Sequence, residues 1–256
     1  MIKFTIQHIK DLKFSEKPFP TITAYDYTSA QIVDEAQIPL ILVGDSASMM
    51  VYGYDTTIPV SMEEMLLIVR SVTRGAKHSL VVADMPFLSY QASIEEMLKN
   101  AGLFIKKGRA SAVKIEGGTH VAKHVSALVD NGIPVLGHVG LTPQSYHQLS
   151  GYKIQGKTPK DAQKIIKDSV ALQKAGAFGV VLECIPDALA QKITQEVDIP
   201  TIGIGSGKNC DGQIQVFHDV LGYSASKPPK HAMQYDNMYT NVLGLIKKYK
   251  ADIENK

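Results

Sequence analysis

The chain has 256 residues, with Lys+Arg 27 against Asp+Glu 25 for a formal net charge of +2, and is 45% hydrophobic and 20% charged. That composition suits a soluble globular protein with a large core, and it argues against a nucleic-acid or membrane-binding surface. No segment approaches the roughly 18 apolar residues of a membrane span, and Met1-Ile2-Lys3-Phe4-Thr5 leads into polar sequence without the apolar core of a signal peptide.

Short apolar runs rich in β-branched residues mark the predicted strands, the first two at residues 21–25 and 40–44. Ser61-Met62-Glu63-Glu64 then reads as a capping box, a Ser cap with an acidic residue three positions on, opening a helix to about Thr73. A strand at 80–83 follows, and Ser93 with Glu96 repeats the cap for a helix over 93–107. Strands at 112–115 and 135–139 come next. Thr158-Pro159 places a cap residue before Pro at the first helical position. The helix over 160–174 carries Ile165, Ile166, Val170 and Leu172 on its apolar side, and Gly176 stands just past its end. Strands at 179–182 and 201–204, and a weaker one at 213–217, complete the series.

Runs without polar alternation are the mark of parallel strands covered on both faces. Strands alternating with helices build βαβ units, and seven or eight in one chain favour a closed barrel over an open sheet. The expected architecture is therefore a (β/α)8 TIM-type barrel, whose usual length is about 250 residues. It is expected as one catalytic domain over 1–256, with a short N-terminal helical segment and a C-terminal helical tail. In that tail Lys247, Lys248 and Lys250 read as a solvated helix end. Cys184 and Cys210 imply no disulfide framework, so a reducing cytoplasm is the expected location. The stretch from Gly140 to Thr158 exceeds the about 2–6 residues of an ordinary βα loop. It is read as an active-site lid, with a subunit-packing excursion as the alternative.

The ionisable residues fall at the ends of these strands. Asp26 lies just past the first, Asp45 and Ser46 end the second, Asp84 the third, Lys114 and Glu116 the fourth, His138 the fifth and Glu183 the sixth. In a barrel those C-terminal ends converge on one mouth, where active sites lie. A single Asp there explains itself as a helix cap; five strands in succession do not. Lys114 and Glu116, two apart, point to the same side of their strand, and an ion pair between them is one reading. Carboxylates gathered at a mouth need a metal ion, a cationic substrate or raised pKa values. Oxygen ligands suit Mg²⁺ rather than Zn²⁺. The turn Gly203-Ile204-Gly205-Ser206-Gly207 is read either as a phosphate site or as a tight packing turn. Cys184 is read as a small buried hydrophobe rather than a nucleophile. His138 is either a contact for substrate or water, or a structural histidine.

An ordered set of segments resembles the ketopantoate hydroxymethyltransferase family. These are Thr21-Ile22-Thr23-Ala24-Tyr25-Asp26-Tyr27, Val43-Gly44-Asp45-Ser46, Ala83-Asp84-Met85-Pro86-Phe87 and Val113-Lys114-Ile115-Glu116-Gly117-Gly118. Gly137-His138-Val139-Gly140-Leu141-Thr142-Pro143-Gln144-Ser145, Gly151-Tyr152-Lys153-Ile154-Gln155-Gly156, Leu182-Glu183-Cys184-Ile185-Pro186 and Gly203-Ile204-Gly205 continue it as far as Asp211-Gly212-Gln213. The resemblance implies a TIM-type barrel that transfers a hydroxymethyl group from 5,10-methylenetetrahydrofolate to 3-methyl-2-oxobutanoate (2-oxoisovalerate). The product would be 2-dehydropantoate, on the route to pantothenate and coenzyme A. It implies Mg²⁺ held by Asp45, Asp84 and Glu116, substrate contacts from Asp45, Ser46, Asp84 and Lys114, and proton acceptance by Glu183. A homodecamer is also implied. After Gly44-Asp45-Ser46 this chain has Ala47-Ser48-Met49 where the family usually has Leu-Gly-Met. A lyase or aldolase of the phosphoenolpyruvate mutase type and a catalytically silent barrel are the rival readings. The Gly137–Ser145 segment and the absence of a lyase-type cysteine motif weigh against the first. The presence of Asp45, Asp84, Lys114, Glu116 and Glu183 weighs against the second.

Overall fold

The computed structural model describes residues 3–255, so Met1, Ile2 and Lys256, including the first two residues of the start read for a signal peptide, lie outside the described residues. Eight parallel strands close into a barrel in sequential order. They are β1 (Phe19–Thr23), β2 (Leu40–Val43), β3 (Leu80–Asp84), β4 (Ala112–Glu116), β5 (Val135–Gly140), β6 (Gly179–Glu183), β7 (Thr201–Ile204) and β8 (Gly212–Gln215). The helices are α1 (Ile6–Asp11), α2 (Tyr27–Glu35), α3 (Ala47–Met50), α4 (Met62–Gly75), α5 (Ile94–Lys106), α6 (Ala122–Asp130), α7 (Tyr146–Leu149), α8 (Pro159–Lys174), α9 (Asp187–Glu196), α10 (Phe217–Leu221) and α11 (Met238–Glu254). The expected (β/α)8 barrel is what the chain forms.

β2 to β6 end within one residue of the sequence expectation, and β1 and β8 differ from it by two. β1 begins and ends two residues earlier, because the chain leaves the sheet at Ala24 and includes Pro20. Proline has no N–H for a ladder, so a pattern reading excludes it from strands. β8 stops at Gln215, since Val216 is already the N-cap of α10 and Phe217 its first residue.

The caps behave as their spacing requires. Ser61 Oγ accepts from Glu64 N at 3.2 Å, while Ser61 N donates to Glu64 Oε2 at 2.8 Å. This fixes the start of α4, whose buried face is Met65, Ile68, Val69 and Val72. Ser93 caps α5 through Glu96 N at 3.1 Å, and Thr158 caps α8 through Asp161 N at 3.2 Å. Gly176 ends that helix at φ +97, and a Cβ there would lie 2.9 Å from Val129 Cγ1.

The N-terminal end of the strands is sealed by apolar packing. Ile9 of α1 joins Phe19, Leu40, Leu80, Leu136, Phe178 and Ile202 in one buried cluster. Full burial of such side chains is worth about 1.5–3 kcal/mol each. Asp34 ties this end together: its Oδ1 accepts from His78 N at 2.8 Å and Ser79 N at 2.7 Å, just before β3. The C-terminal end of the strands carries buried polar residues, among them Asp45, Asp84, Lys114, Glu116 and His138.

The chain forms two compact units divided after Ile214. In the second, Gly222 closes α10 at φ +60, and Tyr239 N donates to Gly222 O at 3.0 Å at the start of α11. The α11 helix has no buried residue, and Leu243, Leu245, Ile246, Tyr249 and Ile253 are exposed, as is the Lys247, Lys248, Lys250 run. Among the described residues no helix is long and apolar enough to cross a membrane.

Candidate active site

Parallel register sets the predicted residues side by side. Asp84 pairs with Lys114 across β3 and β4, Glu116 with His138 across β4 and β5, and Gly140 with Glu183 across β5 and β6. Asp45 follows β2, one residue after Gly44, where a Cβ would stand 2.8 Å from Ser46 Oγ. Asp45, Asp84, Lys114, Glu116 and His138 are all buried. Glu183 is half-buried, its side chain 17% exposed toward the open end.

Lys114 sits at the centre. Its Nζ donates to both Asp84 oxygens at 2.7 Å and lies 3.5 Å from Glu116 Oε1. The ion pair that the spacing of Lys114 and Glu116 suggested is therefore present, but the shorter bond goes to Asp84. Asp84 Oδ2 also accepts from Asp45 N at 3.2 Å. His138 lies between two carboxylates, with Nδ1 at 3.4 Å from Glu116 Oε1 and Nε2 at 3.2 Å from Glu183 Oε2. Neither approach has hydrogen-bond alignment. The histidine links the acidic cluster to Glu183. Ser46 Oγ shares a hydrogen bond of 2.8 Å with Tyr25 Oη, which holds it at the rim.

Burial dominates the ionisation of the cluster. It pushes Asp45 well above the usual carboxylate range, aided by the Asp84 charge, and raises Asp84 despite Lys114. Glu116 is held below the usual range because Lys114 and His138 outweigh burial. Burial opposes the Lys114 ammonium, but the three carboxylates around it raise its pKa. Burial and Lys114 push His138 down, yet Glu116 and Glu183 hold it up at about 9. Too many negative charges share too few cations in this pocket.

A divalent ion matches that deficit in donor chemistry. Asp45, Asp84 and Glu116 offer hard oxygens, and Glu116 Oε1 is a buried oxygen without a hydrogen-bond partner. As the side chains stand, no group of three or more His, Cys, Asp or Glu among the described residues is gathered around one point. Lys114 holds Asp84 instead.

Several residues fall outside the cluster or were missed. Asp26 is exposed and caps α2 through Ser29 N at 2.9 Å, so it is a helix cap and not part of the mouth. The glycine turn after β7 is a packing turn around the chain's own carboxylate. Asp187 accepts from Lys208 N at 3.1 Å and Asn209 Nδ2 at 2.9 Å, and a Cβ on Gly207 would lie 2.0 Å from Asp187 Oδ1. Cys184 is half-buried rather than buried, at φ 47, and burial with the Glu183 charge pushes its thiol up to about 12, away from the thiolate that a nucleophile needs. Ser48, at the position that departs from the family pattern, is buried and donates to Thr56 O at 2.7 Å.

The long 140–158 connection is not structureless: a 3-10 turn at Pro143–Ser145 and α7 occupy it. Tyr146 and Tyr152 pack with ring centroids 5.1 Å apart, and Tyr152 Oη reaches Met49 Sδ at 3.9 Å. From this connection Gln144 enters the cluster, and Tyr90 meets it from the loop after β3. Neither residue is ionisable at neutral pH, so a search for charge at strand ends passes over both. Gln144 stands in the Gly137–Ser145 segment that carries the family resemblance, which was the available signal for it. Together with Glu116 and Phe87 they line a cavity of ≈ 150 Å³.

A closed barrel whose mouth buries several carboxylates around one lysine belongs to the barrel enzymes, whose chemistry sits at that end of the strands. The sequence profile of the family described as ketopantoate hydroxymethyltransferase matches residues 3–256. The 3-methyl-2-oxobutanoate hydroxymethyltransferase of Carboxydothermus hydrogenoformans is 52% identical over 100% of this chain and 93% of that protein. The protein of the same name from Syntrophus aciditrophicus is 47% identical over 99% and 93%. The chain belongs to the ketopantoate hydroxymethyltransferase family. Among solved structures, phosphoenolpyruvate phosphomutase from Streptomyces platensis subsp. rosaceus superposes with a TM-score of 0.66 at 11% identity, covering 98% of this chain and 88% of that one. A 2,3-dimethylmalate lyase gives 0.62 at 15% identity over 100% of both chains. At such identities the likeness is one of fold alone.

Proposed function

We propose that this protein transfers a hydroxymethyl group from 5,10-methylenetetrahydrofolate to 3-methyl-2-oxobutanoate, forming 2-dehydropantoate for pantothenate and coenzyme A synthesis. The observation that carries this reading is the placement of Asp45, Asp84, Lys114, Glu116 and Glu183 at one barrel mouth. Relatives about half identical over the whole chain are 3-methyl-2-oxobutanoate hydroxymethyltransferases, which supports hydroxymethyl transfer to that acceptor.

In this reading Asp45, Asp84 and Glu116 would hold Mg²⁺, which when bound supplies Lewis acidity toward the carboxylate and keto oxygens of the oxo acid. Asp45, Ser46, Asp84 and Lys114 contact the substrate. Lys114, the buried cation nearest Asp84, balances the negative charge that grows as the C3–H bond breaks. Glu183 takes that proton. Its exposed edge faces the open end, and its Oε2 lies 3.2 Å from His138 Nε2. His138, whose ring nitrogens have no aligned hydrogen bond, offers a contact to substrate or water. Water hydrolyses the methylene bridge of the folate, both C–N bonds breaking as the two nitrogens take up its protons, so tetrahydrofolate departs. The enolate carbon bonds to the released formaldehyde-level carbon, whose oxygen takes the proton held by Glu183 to become the hydroxyl.

The working form in this proposal is a single catalytic domain in the cytoplasm, assembled as a homodecamer. The exposed apolar residues of α11 supply one surface for assembly. The 140–158 connection serves as the lid. Incubation with 3-methyl-2-oxobutanoate, methylenetetrahydrofolate and Mg²⁺ should yield 2-dehydropantoate, detected by mass. No product from folded protein would refute the assignment.

A further inference from the structure

Gln144 is 5% exposed, and both polar atoms of its side chain have partners. Its Nε2 donates to Asp45 Oδ2 at 2.9 Å and to Met85 O at 2.8 Å. Its backbone N donates to Glu116 Oε2 at 3.0 Å. Its Oε1 accepts from Tyr90 Oη at 3.0 Å and from Gln91 Nε2 at 3.2 Å. These partners fix the amide's orientation. Turned over, Oε1 would face a carbonyl and a carboxylate, both acceptors. A buried amide satisfied in this way is confined to one rotamer.

The bonds end on two carboxylates that different strands deliver. Asp45 follows β2, and Glu116 ends β4. Backbone register fixes the strands but leaves side-chain torsions free. Gln144 removes that freedom for both acids at once. Tyr90 braces it from behind: Tyr90 Oη also accepts from Glu116 N at 3.1 Å, so one phenol touches both the brace and the acid.

We propose that Gln144 is a positioning residue, holding the Asp45 and Glu116 carboxylates at a set distance and orientation for the divalent ion and oxo acid, with Tyr90 locking its amide. The inference rests on the metal reading of this site. Partners that orient ligands in this way are worth about 10–100-fold in metal affinity or activity.

The test uses the full chain and Mn²⁺ as the probe. Gln144→Met keeps the side-chain length and the backbone bond to Glu116 but removes the amide. In a metal-free crystal of this variant the Asp45 carboxylate should leave its wild-type place while the barrel is unchanged. Mn²⁺ affinity, read by electron paramagnetic resonance, should fall about 10–100-fold. Gln144→Glu, which sets a carboxylate against Asp45, should lose more, and kcat should fall with the KM for the folate unchanged. Asp45 still in place, or Mn²⁺ bound at wild-type strength, overturns the proposal. Tyr90→Phe serves if Gln144→Met does not fold: a smaller loss in the same direction supports it, and unchanged affinity there and in Gln144→Glu overturns it. Wild-type protein that binds no Mn²⁺ sinks the metal reading instead, and the place of Asp45 in the variant crystal still decides the role of Gln144.

Discussion

At the N-terminal end of the strands Asp34 accepts two backbone N–H groups and lies 2.9 Å from His78 Nδ1, whereas at the C-terminal end Asp45 and Asp84 share a pocket with Glu116 and one lysine. Burial would raise Asp34 too, but the N–H groups of Ser79 and His78 hold it down to about 2. Asp45 and Asp84 are raised by the same burial, because charge there meets charge. One end of the barrel uses a carboxylate as a staple for the fold. The other stores electrostatic repulsion, which a cation relieves, at the expense of stability.

Four experiments break or sharpen that contrast. Glu183→Gln should slow deuterium exchange at C3 of 3-methyl-2-oxobutanoate by at least about 10²-fold, the usual worth of a general base, with Tm unchanged. Exchange at the wild-type rate in the presence of Mg²⁺ would remove Glu183 as the base. Lys114→Met strips the cluster of its buried cation and should cost about 3–5 kcal/mol in urea unfolding. The deficit should shrink when Mg²⁺ is added; a Mg²⁺-independent deficit would count against the ion.

Asp34→Asn should cost about 1.5–3 kcal/mol, the range for hydrogen bonds to a charged group, with kcat intact. The sign follows from its lowered pKa. Its contribution is present above the unfolded carboxylate value of about 3.9 and is lost as pH falls toward about 2. A flat stability profile between pH 5 and 2 in the difference between wild type and variant would refute this. Asp45→Asn should move the other way, raising metal-free stability by roughly 0.5–2 kcal/mol, the usual yield of relieving a bad charge, while activity disappears. Because its folded pKa is raised, stability from Asp45 is present at acid pH and lost as pH climbs through the raised value. A destabilised Asp45→Asn variant would show that the two ends are not opposites after all.

The C-terminal side of this contrast was legible in the sequence, whereas Asp34, whose partners come from the turn before β3, was not. Continuous apolar runs gave the strands, and strand-end positions gave Asp45, Asp84, Lys114, Glu116, His138 and Glu183, because in a parallel barrel every such end faces one mouth. The register that sets Asp84 beside Lys114 was beyond a linear reading, since it depends on the barrel's closure. Asp26 misled for a related reason: a carboxylate past a strand is either a site residue or a cap, and only Ser29 N decides which. Tyr90 and Gln144 stayed hidden because their contribution lies in geometry, not charge. Pro20 concealed the start of β1, as it carries no N–H for a pattern to count.

The glycine turn after β7 has a consequence for which molecules in a crowded cell reach this mouth. Barrels commonly greet phosphorylated metabolites at that corner, yet here Asp187 has taken the Lys208 N–H and Asn209 amide for itself. A phosphate arriving there meets a resident negative charge in place of vacant donors. The donors that a phosphate would need at that corner are thus already committed to the Asp187 carboxylate within the fold.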